Sequence, residues 1–336
     1  MKYIHIYNNR AEYNAAEKEE YDMSLILNED NYVVFYMDKP YSEQYFTIES
    51  LVDNNIISLK NINCSIKPKI YYSLDNGESW DNFQITQNGT VNIATINTGD
   101  KIIFKSINDR LATGYSAYNK FDASGNFKVY GNIMSLLYGA GFKNITQFNG
   151  NSTDFFSGLF YGTTNLIYAE NLILPVTTLK KSCYNGMFRN CSNLINAPQL
   201  PALNLAEECY SSMFECCVSL VTPPELPATN LQKRCYARMF CMNRDNTVNA
   251  AMTKSPILHV NTLQIGSYFE MFKGNGNLTE ITCLATDLNS SGTELATSNW
   301  VMNISPEGVF IKNPEMDWST GNNGIPSGWS IQNYTE

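Results

Sequence analysis

The sequence predicts a multidomain chain that is rich in β-structure and contains a solenoid of leucine-rich repeats. Two observations lead to this prediction: a ten-residue pattern recurs in the second half, and short apolar runs separated by turn signals fill the first half. We expect a small N-terminal anchoring and oligomerisation segment (1–44) and an antiparallel, Ig-like β-sandwich (45–130). The leucine-rich-repeat solenoid (131–285) and a β-rich C-terminal cap (286–336) follow.

The composition excludes several classes of function. The chain has 336 residues, 43% hydrophobic and 16% charged, with a net charge of −9. A nucleic-acid backbone requires clustered Lys and Arg, which this charge balance disfavours. The chain has two His, so that most His-based metal and acid–base sites are disfavoured as well. The apolar fraction is sufficient for a sizeable core.

The N-terminal segment contains a short apolar alternation (KYIHIY), a stretch suited to a small helix (AEYNAAEKEEY, 11–21) and two strands joined by a turn at 28–31. The run YVVFYM is too apolar for such a small segment to bury, which predicts pairing with another chain. The predicted assembly residues are Tyr32, Val33, Val34, Phe35, Tyr36 and Met37. Alternatively, these strands are the first pair of the next domain. The start of the chain lacks the apolar core of a secretory signal, and no run is long enough to span a membrane.

The predicted sandwich has seven strand-like runs: YFTIESL, NIISLK, KIYYSLD, NFQITQ, VNIATI, KIIFKS and NFKVYG. Turn signals at 75–77 and 98–100 separate some of them. Trp80 follows the first of these turns. It is interpreted as a plug at the end of the sandwich, with a binding residue at the rim as the alternative.

The repeats are LKKSCYNGMF, LAEECYSSMF, LQKRCYARMF and LQIGSYFEMF, which end at Phe188, Phe214, Phe240 and Phe272. Their spacings are 26, 26 and 32 residues, and a weaker copy, DFFSGLF, ends at Phe160. Inside a repeat the apolar residues fall at i, i+4, i+5, i+8 and i+9, which predicts one face of a short helix. A short strand and a Pro-fixed turn follow each helix. Because no unit buries its apolar side alone, neighbouring units must stack.

The predicted repeat core consists of equivalent positions whose rings should form ladders along the stack. These positions are Leu179, Cys183, Tyr184, Met187, Phe188, Leu205, Cys209, Tyr210, Met213, Phe214, Leu231, Cys235, Tyr236, Met239, Phe240, Leu263, Tyr268, Met271 and Phe272.

The cysteines are interpreted as packing residues rather than as a chemical site. Cys183, Cys209 and Cys235 are equivalent, and Ser267 takes their place in the fourth repeat. We expect them to be buried and reduced. The alternatives are a zinc site built from Cys209, Cys216, Cys217 and Cys241, which lacks the usual paired spacing, and a nucleophilic Cys assisted by His259, which occupies a turn position.

The pattern C-Y-x-x-M-F-x-x-C-x-x-L-x-x-A-P-x-L-P-A-x-x-L, seen in residues 183–205 and 209–231, resembles the BspA-like leucine-rich repeats. The resemblance covers about residues 131–285 and implies that fold, together with a role in adhesion and display and no enzymatic residues. Such repeats occur in bacterial surface proteins and in virion proteins of phages that infect gut Bacteroidales. Residues 1–44 also resemble N-terminal segments of head-fibre and tail-fibre proteins of crAss-like and related phages. The third repeat departs from the pattern after Phe240, which predicts a bulging loop.

The C-terminal stretch carries Trp300, Trp318 and Trp329 among Gly- and Pro-rich turns. They are predicted to cover the apolar end of the solenoid, because terminal units of repeat proteins differ from internal ones. The alternative is a platform on which glycan rings stack.

No catalytic motif is present, so we expect no enzyme and no cofactor or metal. The predicted function is that of a phage virion protein, a head fibre or other projecting appendage, assembled in the host cytoplasm. It would attach to capsid or tail proteins through residues 1–44, form a homo-oligomer and display the solenoid to bacterial surface glycans or proteins. No nucleic-acid or membrane partner is expected. The alternatives are a bacterial BspA-like cell-surface adhesin and, less favoured, a polysaccharide-degrading enzyme.

Overall fold

The computed structural model describes residues 40–242, 250–288 and 295–335, and before them the strands 4–7, 23–27 and 33–37. The first group of strands is β1 (Ile4–Tyr7), β2 (Met23–Leu27) and β3 (Val33–Met37). The second is β4 (Phe46–Ser50), β5 (Asn55–Ile62), β6 (Lys69–Ser73), β7 (Asp81–Gln84), β8 (Thr90–Ile96), β9 (Lys101–Ser106), β10 (Ala112–Gly114), β11 (Ala117–Ala123) and β12 (Phe127–Asn132). The third is β13 (Leu166–Tyr168), β14 (Leu172–Ile173), β15 (Glu280–Cys283), β16 (Val309–Lys312) and β17 (Ser330–Asn333). In this part of the chain the one α-helix is α1 (Ser135–Tyr138).

The first three strands form a sheet of their own, in the order β1-β2-β3. β1 pairs with β2 in parallel, and β2 pairs with β3 in antiparallel orientation. The sequence correctly predicts β2 and β3 as two strands of one hairpin. The helix predicted for residues 11–21 and the assembly residue Tyr32 lie outside the described residues.

Two sheets built from β4 to β12 enclose the first part of the core. One has the order β10-β11-β5-β8, and the other runs β12-β4-β9-β6-β7. Between them the ring of Phe121 lies 5.2 Å from that of Phe46 and 5.0 Å from that of Phe104, measured between centroids. The predicted strand runs match β4 to β9 and β12, whereas β10 and β11 were not predicted. The inward face of β11 consists of Asn119, Phe121 and Ala123, so a buried polar residue interrupts the apolar alternation by which a strand is recognised.

The second sheet continues directly into the repeats. β12 pairs with β4 on one side in antiparallel orientation and with β13 and β14 on the other side in parallel. Gly131 permits this junction, because its φ is +80° and a Cβ there would lie 2.1 Å from the carbonyl oxygen of Tyr45. The predicted boundary at 130/131 therefore falls within a strand that is paired on both edges.

Each repeat is a run of tight turns rather than a helix. In the repeat that ends at Phe188, the N–H groups of Cys183, Asn185 and Met187 donate to the carbonyl three residues earlier. The intervening N–H groups donate to the next repeat, as in Tyr184 N to Cys209 O (3.0 Å). The N–H groups thus alternate between the local turn and the neighbouring repeat. An α-helix would instead direct every N–H to the carbonyl four residues earlier within the segment.

Left-handed residues recur at every fourth position of these turns. Ser182, Gly186 and Asn190 have φ between 53° and 61°, and Glu208, Ser212 and Cys216 repeat the same positions in the next unit with φ between 56° and 62°. The apolar pairs therefore follow a period of four residues, which resembles the helical period of 3.6. This resemblance explains why the sequence pattern suggested a helix.

The predicted fold class is accordingly wrong. The described chain consists mostly of β-strands in four sheets with one short helix, and the predicted unit of one helical turn plus one strand does not occur in the repeats. From Phe46 onward the described residues are not divided into separate cores, because one cluster of buried residues runs from Phe46 to Trp329. The sheets are open rather than closed into a barrel.

The C-terminal part ends in a parallel sheet of order β15-β16-β17. Backbone bonds connect it to the last repeat, as in Phe272 N to Trp300 O (2.8 Å). Among the described residues, the structure contains no helix with the length and apolarity required to cross a membrane.

Candidate interaction surface

The residues predicted as the repeat core lie inside the molecule and are closed to ligands. All of them are buried, with at most 8% of any side chain exposed. The predicted ring ladders are confirmed: the Phe188–Phe214 and Tyr184–Tyr210 centroids lie 5.5 and 5.7 Å apart with nearly parallel rings. The rows continue to Phe272 and Tyr268. These residues hold the repeats in register and leave recognition to the surface.

The thiols are packing and hydrogen-bonding groups. Cys183, Cys209 and Cys235 are buried and free, as predicted, and burial raises the pKa of Cys209 to about 12. Cys191 and Cys217 donate their S–H to the carbonyls of Phe160 and Phe188, both at 3.0 Å. Thr163 and Asn275 bond in the same way to Phe121 and Phe240, so Cys is one of three donors used at this position. A protonated, buried thiol is a poor nucleophile and a poor metal ligand.

A row of charges crosses the repeats along one flank. Glu215, whose side chain is 3% exposed, accepts hydrogen bonds from Arg189 (2.9 Å) and Arg238 (3.0 Å). Arg238 also contacts Glu270 at 3.2 Å, and Glu270 contacts Lys273. Opposite charges thus alternate from repeat to repeat, while Nε of Arg189, Nε of Arg238 and Oε2 of Glu215 are buried without a hydrogen-bond partner.

The C-terminal tryptophans close the end of the stack. Trp300 is fully buried, stacks on Tyr268 at 5.9 Å and contacts Phe272, so that both ring rows end on one indole. Its Nε1 donates to the carbonyl of Gly324 (2.9 Å), and Trp318 stacks on its outer side at 5.5 Å. Trp329 is 7% exposed. Because Trp300 and Trp329 are buried, the capping interpretation fits them and the glycan platform does not.

Trp80 covers the outer face of the second sheet. Its Nε1 donates to the carbonyl of Gly77 (3.0 Å) in the same turn, and the amine of Lys105 lies 3.6 Å from the centre of its ring. Tyr45 packs against the ring edge at 5.2 Å. Because its ring and its Nε1 already have partners within the protein, Trp80 is better explained as a structural residue than as a ligand-binding residue at the rim.

One row of exposed, mostly polar residues follows the stack. We call it the Thr/Asn ladder. It consists of Gln147, Thr178, Asn204, Asn230, Thr262 and Asp287, all of them exposed. Parallel bridges join Gln147 to Thr178, Thr178 to Asn204, Asn204 to Asn230 and Thr262 to Asp287. The residue before each member is exposed as well: Thr146, Thr177, Leu203, Thr229, Asn261 and Thr286.

Backbone hydrogen bonds fix the spacing and direction of the ladder. Leu179 N donates to Asn204 O at 2.8 Å, and Asn204 N donates to Thr177 O at 3.2 Å. The amide of Asn204 also reaches the hydroxyl of Thr178 at 3.3 Å, so the side chains are aligned along the stack. Amide and hydroxyl groups both donate and accept hydrogen bonds, which makes the row suited to a polar, uncharged partner.

The sequence interpretation missed the ladder, although its signal was present. Five of the six members stand immediately before a leucine at an equivalent position: Leu179, Leu205, Leu231, Leu263 and Leu288. Attention to the buried leucines hid the polar residues beside them. The predicted assembly residues Val33 to Met37 form β3.

The described residues offer no candidate metal site. No group of three or more His, Cys, Asp or Glu there is arranged to hold a metal ion, and Cys209, Cys216, Cys217 and Cys241 do not form such a group. Comparison with known proteins adds no relative, because no family model, no curated protein and no solved structure matches the chain. The resemblance to BspA-like repeats stays a prediction.

Proposed function

We propose that this chain is a phage virion structural protein, a head fibre or similar appendage, that displays a binding surface to the bacterial host. The observation that carries the proposal is the Thr/Asn ladder, an exposed polar row on a continuous core, in which successive bridges join the positions from Gln147 to Asn230. A surface of this kind suits recognition, which requires fixed positions, and supplies no nucleophile or acid–base pair for chemistry.

The stacked core supports display because it leaves little internal freedom. Each repeat bonds to the next through alternate N–H groups, and the aromatic rows run without interruption from Phe160 to Trp300. Because a rigid scaffold already holds its binding groups in place, little conformational entropy is lost when a ligand binds. The first strands, β1 to β3, form a separate sheet to which we assign attachment to capsid or tail proteins and self-association.

The test is mass spectrometry of particles purified from a lysate of the producing host. We expect the chain in the particles at a stoichiometry that marks a structural component. A chain lacking residues 1–39 should fold and be missing from the particles, whereas a chain with the Thr/Asn ladder altered should still be incorporated. Recovery of the protein on bacterial envelopes and its absence from particles would instead indicate a cell-surface adhesin. Release of reducing sugar from host capsule would indicate an enzyme.

A further inference from the structure

We propose that the Thr/Asn ladder binds an extended, uncharged polysaccharide that lies along the stack, with about one sugar unit on each repeat. This inference rests on the proposed display function and deepens it by naming the ligand class and the contact residues. It comes from three properties of the row: its spacing, its charge and one exposed leucine.

The spacing is the first property. Strands joined by bridges lie about 4.8 Å apart, so the four positions from Gln147 to Asn230, which successive bridges join, extend over about 14 Å. One pyranose unit of an extended polysaccharide has a similar length along its chain. A sugar chain parallel to the stack would therefore meet an equivalent pair of side chains at each unit, which a globular partner would not.

The charge of the row is the second property. The five pairs from Thr146–Gln147 to Asn261–Thr262 carry no charged side chain. The nearest regular row of charges is internally paired, since Glu207 contacts both Lys181 (2.9 Å) and Lys233 (3.3 Å). An acidic polymer thus finds no cation on the ladder itself. Amides and hydroxyls instead match sugar hydroxyls, which also donate and accept.

Leu203 is the third property. It is 55% exposed in a row that is otherwise polar, and it lies next to Asn204. A sugar ring has an apolar C–H face as well as polar edges, and Leu203 would cover one such face while Asn204 and Thr178 bond to hydroxyls.

Length dependence is the sharpest consequence. Single exposed hydrogen bonds contribute little, so the affinity must come from several repeats bound at once. We expect affinity for a linear neutral oligosaccharide to rise with each added unit and to level off at about four, the number of ladder positions joined by successive bridges.

The experiment is affinity electrophoresis of the full chain in gels that contain hydroxyethylcellulose, xylan, mannan or amylose, with alginate and hyaluronan as acidic comparisons. Retained polysaccharides are then tested as oligosaccharides of increasing length. The altered chain is Thr178→Val, Asn204→Leu, Asn230→Leu, which keeps side-chain shape and removes the polar groups. The matched control is Asn193→Leu, Asn196→Leu, Thr222→Val, which makes the same changes away from the ladder.

We expect retention by at least one neutral polysaccharide, a loss of about tenfold or more in the ladder variant and little change in the control, with both variants unfolding as the parent does. Equal retention of the ladder variant, preference for the acidic polymers, or no dependence on length would each overturn the inference. So would slowing of ice growth without polysaccharide binding. None of these outcomes alters the presence of the chain in particles, so the two proposals fail separately.

Discussion

The sandwich strands and the repeats share one core, but their backbone N–H groups find hydrogen-bond acceptors in different ways. In β4 to β12 the N–H groups pair between antiparallel strands, and buried and exposed residues alternate, as in β9 with Ile102, Phe104 and Ser106 inward. In the repeats alternate N–H groups bond within a turn and between repeats. The first scheme is stabilised by side-chain alternation that any apolar residue can supply. The second depends on left-handed residues at fixed positions and on an intact neighbour.

The largest expected difference between the two regions is their response to alkali. Burial raises the pKa of Cys191, Cys209 and Cys283 to about 12 and raises the pKa of Tyr184 and of Tyr210 well above the usual tyrosine value. Because the folded pKa values exceed the unfolded ones, their stability contribution is complete below about pH 8.5 and falls as the pH rises, by up to ~1.4 kcal/mol per pH unit for each group. Denaturant midpoints measured between about pH 7 and 10.5 should fall steeply.

A chain with Cys183→Ala, Cys209→Ala and Cys235→Ala separates this effect from general alkaline damage. It has fewer buried thiols to ionise, so its stability should depend on pH less steeply, although it starts lower. An unchanged slope would show that the repeat thiols are not the titrating groups.

The second expectation concerns the shared core. Phe214→Ala removes a buried ring from the middle of the row and should cost about 3–5 kcal/mol. Because the core is continuous, the sandwich should lose stability with the repeats in a single transition. Denaturation followed both by far-ultraviolet circular dichroism and by Trp fluorescence tests this, with Phe104→Ala in the sandwich as the counterpart. Two separated transitions would mean that the regions fold independently.

The third expectation compares two glutamates, one buried and one more exposed, each of which forms ion pairs with both neighbouring repeats. Glu215→Ala leaves Arg189 and Arg238 without their buried carboxylate and should cost about 2–3 kcal/mol. Glu207→Ala breaks the exposed pairs with Lys181 and Lys233 and should cost less than ~1 kcal/mol. Chemical denaturation measures both losses. Equal losses in the free energy of unfolding would show that burial does not determine how much these ion pairs contribute to stability.

The smallest expectation concerns backbone conformation. Ser212 has φ of +56°, so Ser212→Gly removes strain and should stabilise the fold by about 0.5 kcal/mol after the entropy of glycine is counted. Its neighbour Ser211 is not left-handed and donates to Ala237 O at 3.3 Å, so Ser211→Gly should destabilise. The same direction for both substitutions would contradict the role assigned to the fourth position.

The sequence predicted the structure correctly where one pattern of residues fits only one kind of element. Alternation located most strands of the sandwich, and recurrence located the stacking rings of the repeats. It misled at Leu179 to Phe188, because apolar pairs four residues apart fit a helix and a run of turns equally well. The run of turns depends on left-handed residues such as Ser182 and Glu208. Ser and Glu rarely adopt this conformation, so the sequence did not indicate it. The ladder was missed because the repeat was defined by its buried leucines, and the exposed Thr and Asn that stand immediately before them were not considered.

The alternating hydrogen bonds also bear on how such a chain can change in length during evolution. A whole repeat can be duplicated or lost, because its outward N–H groups fit any neighbour of the same kind. A single inserted residue inside the turns would exchange the local and the outward N–H groups along the rest of that repeat. The six extra residues between Phe240 and Phe272 accordingly lie before Leu263, outside the turn run. The length of the stack can therefore change in steps of one repeat, about 4.8 Å each.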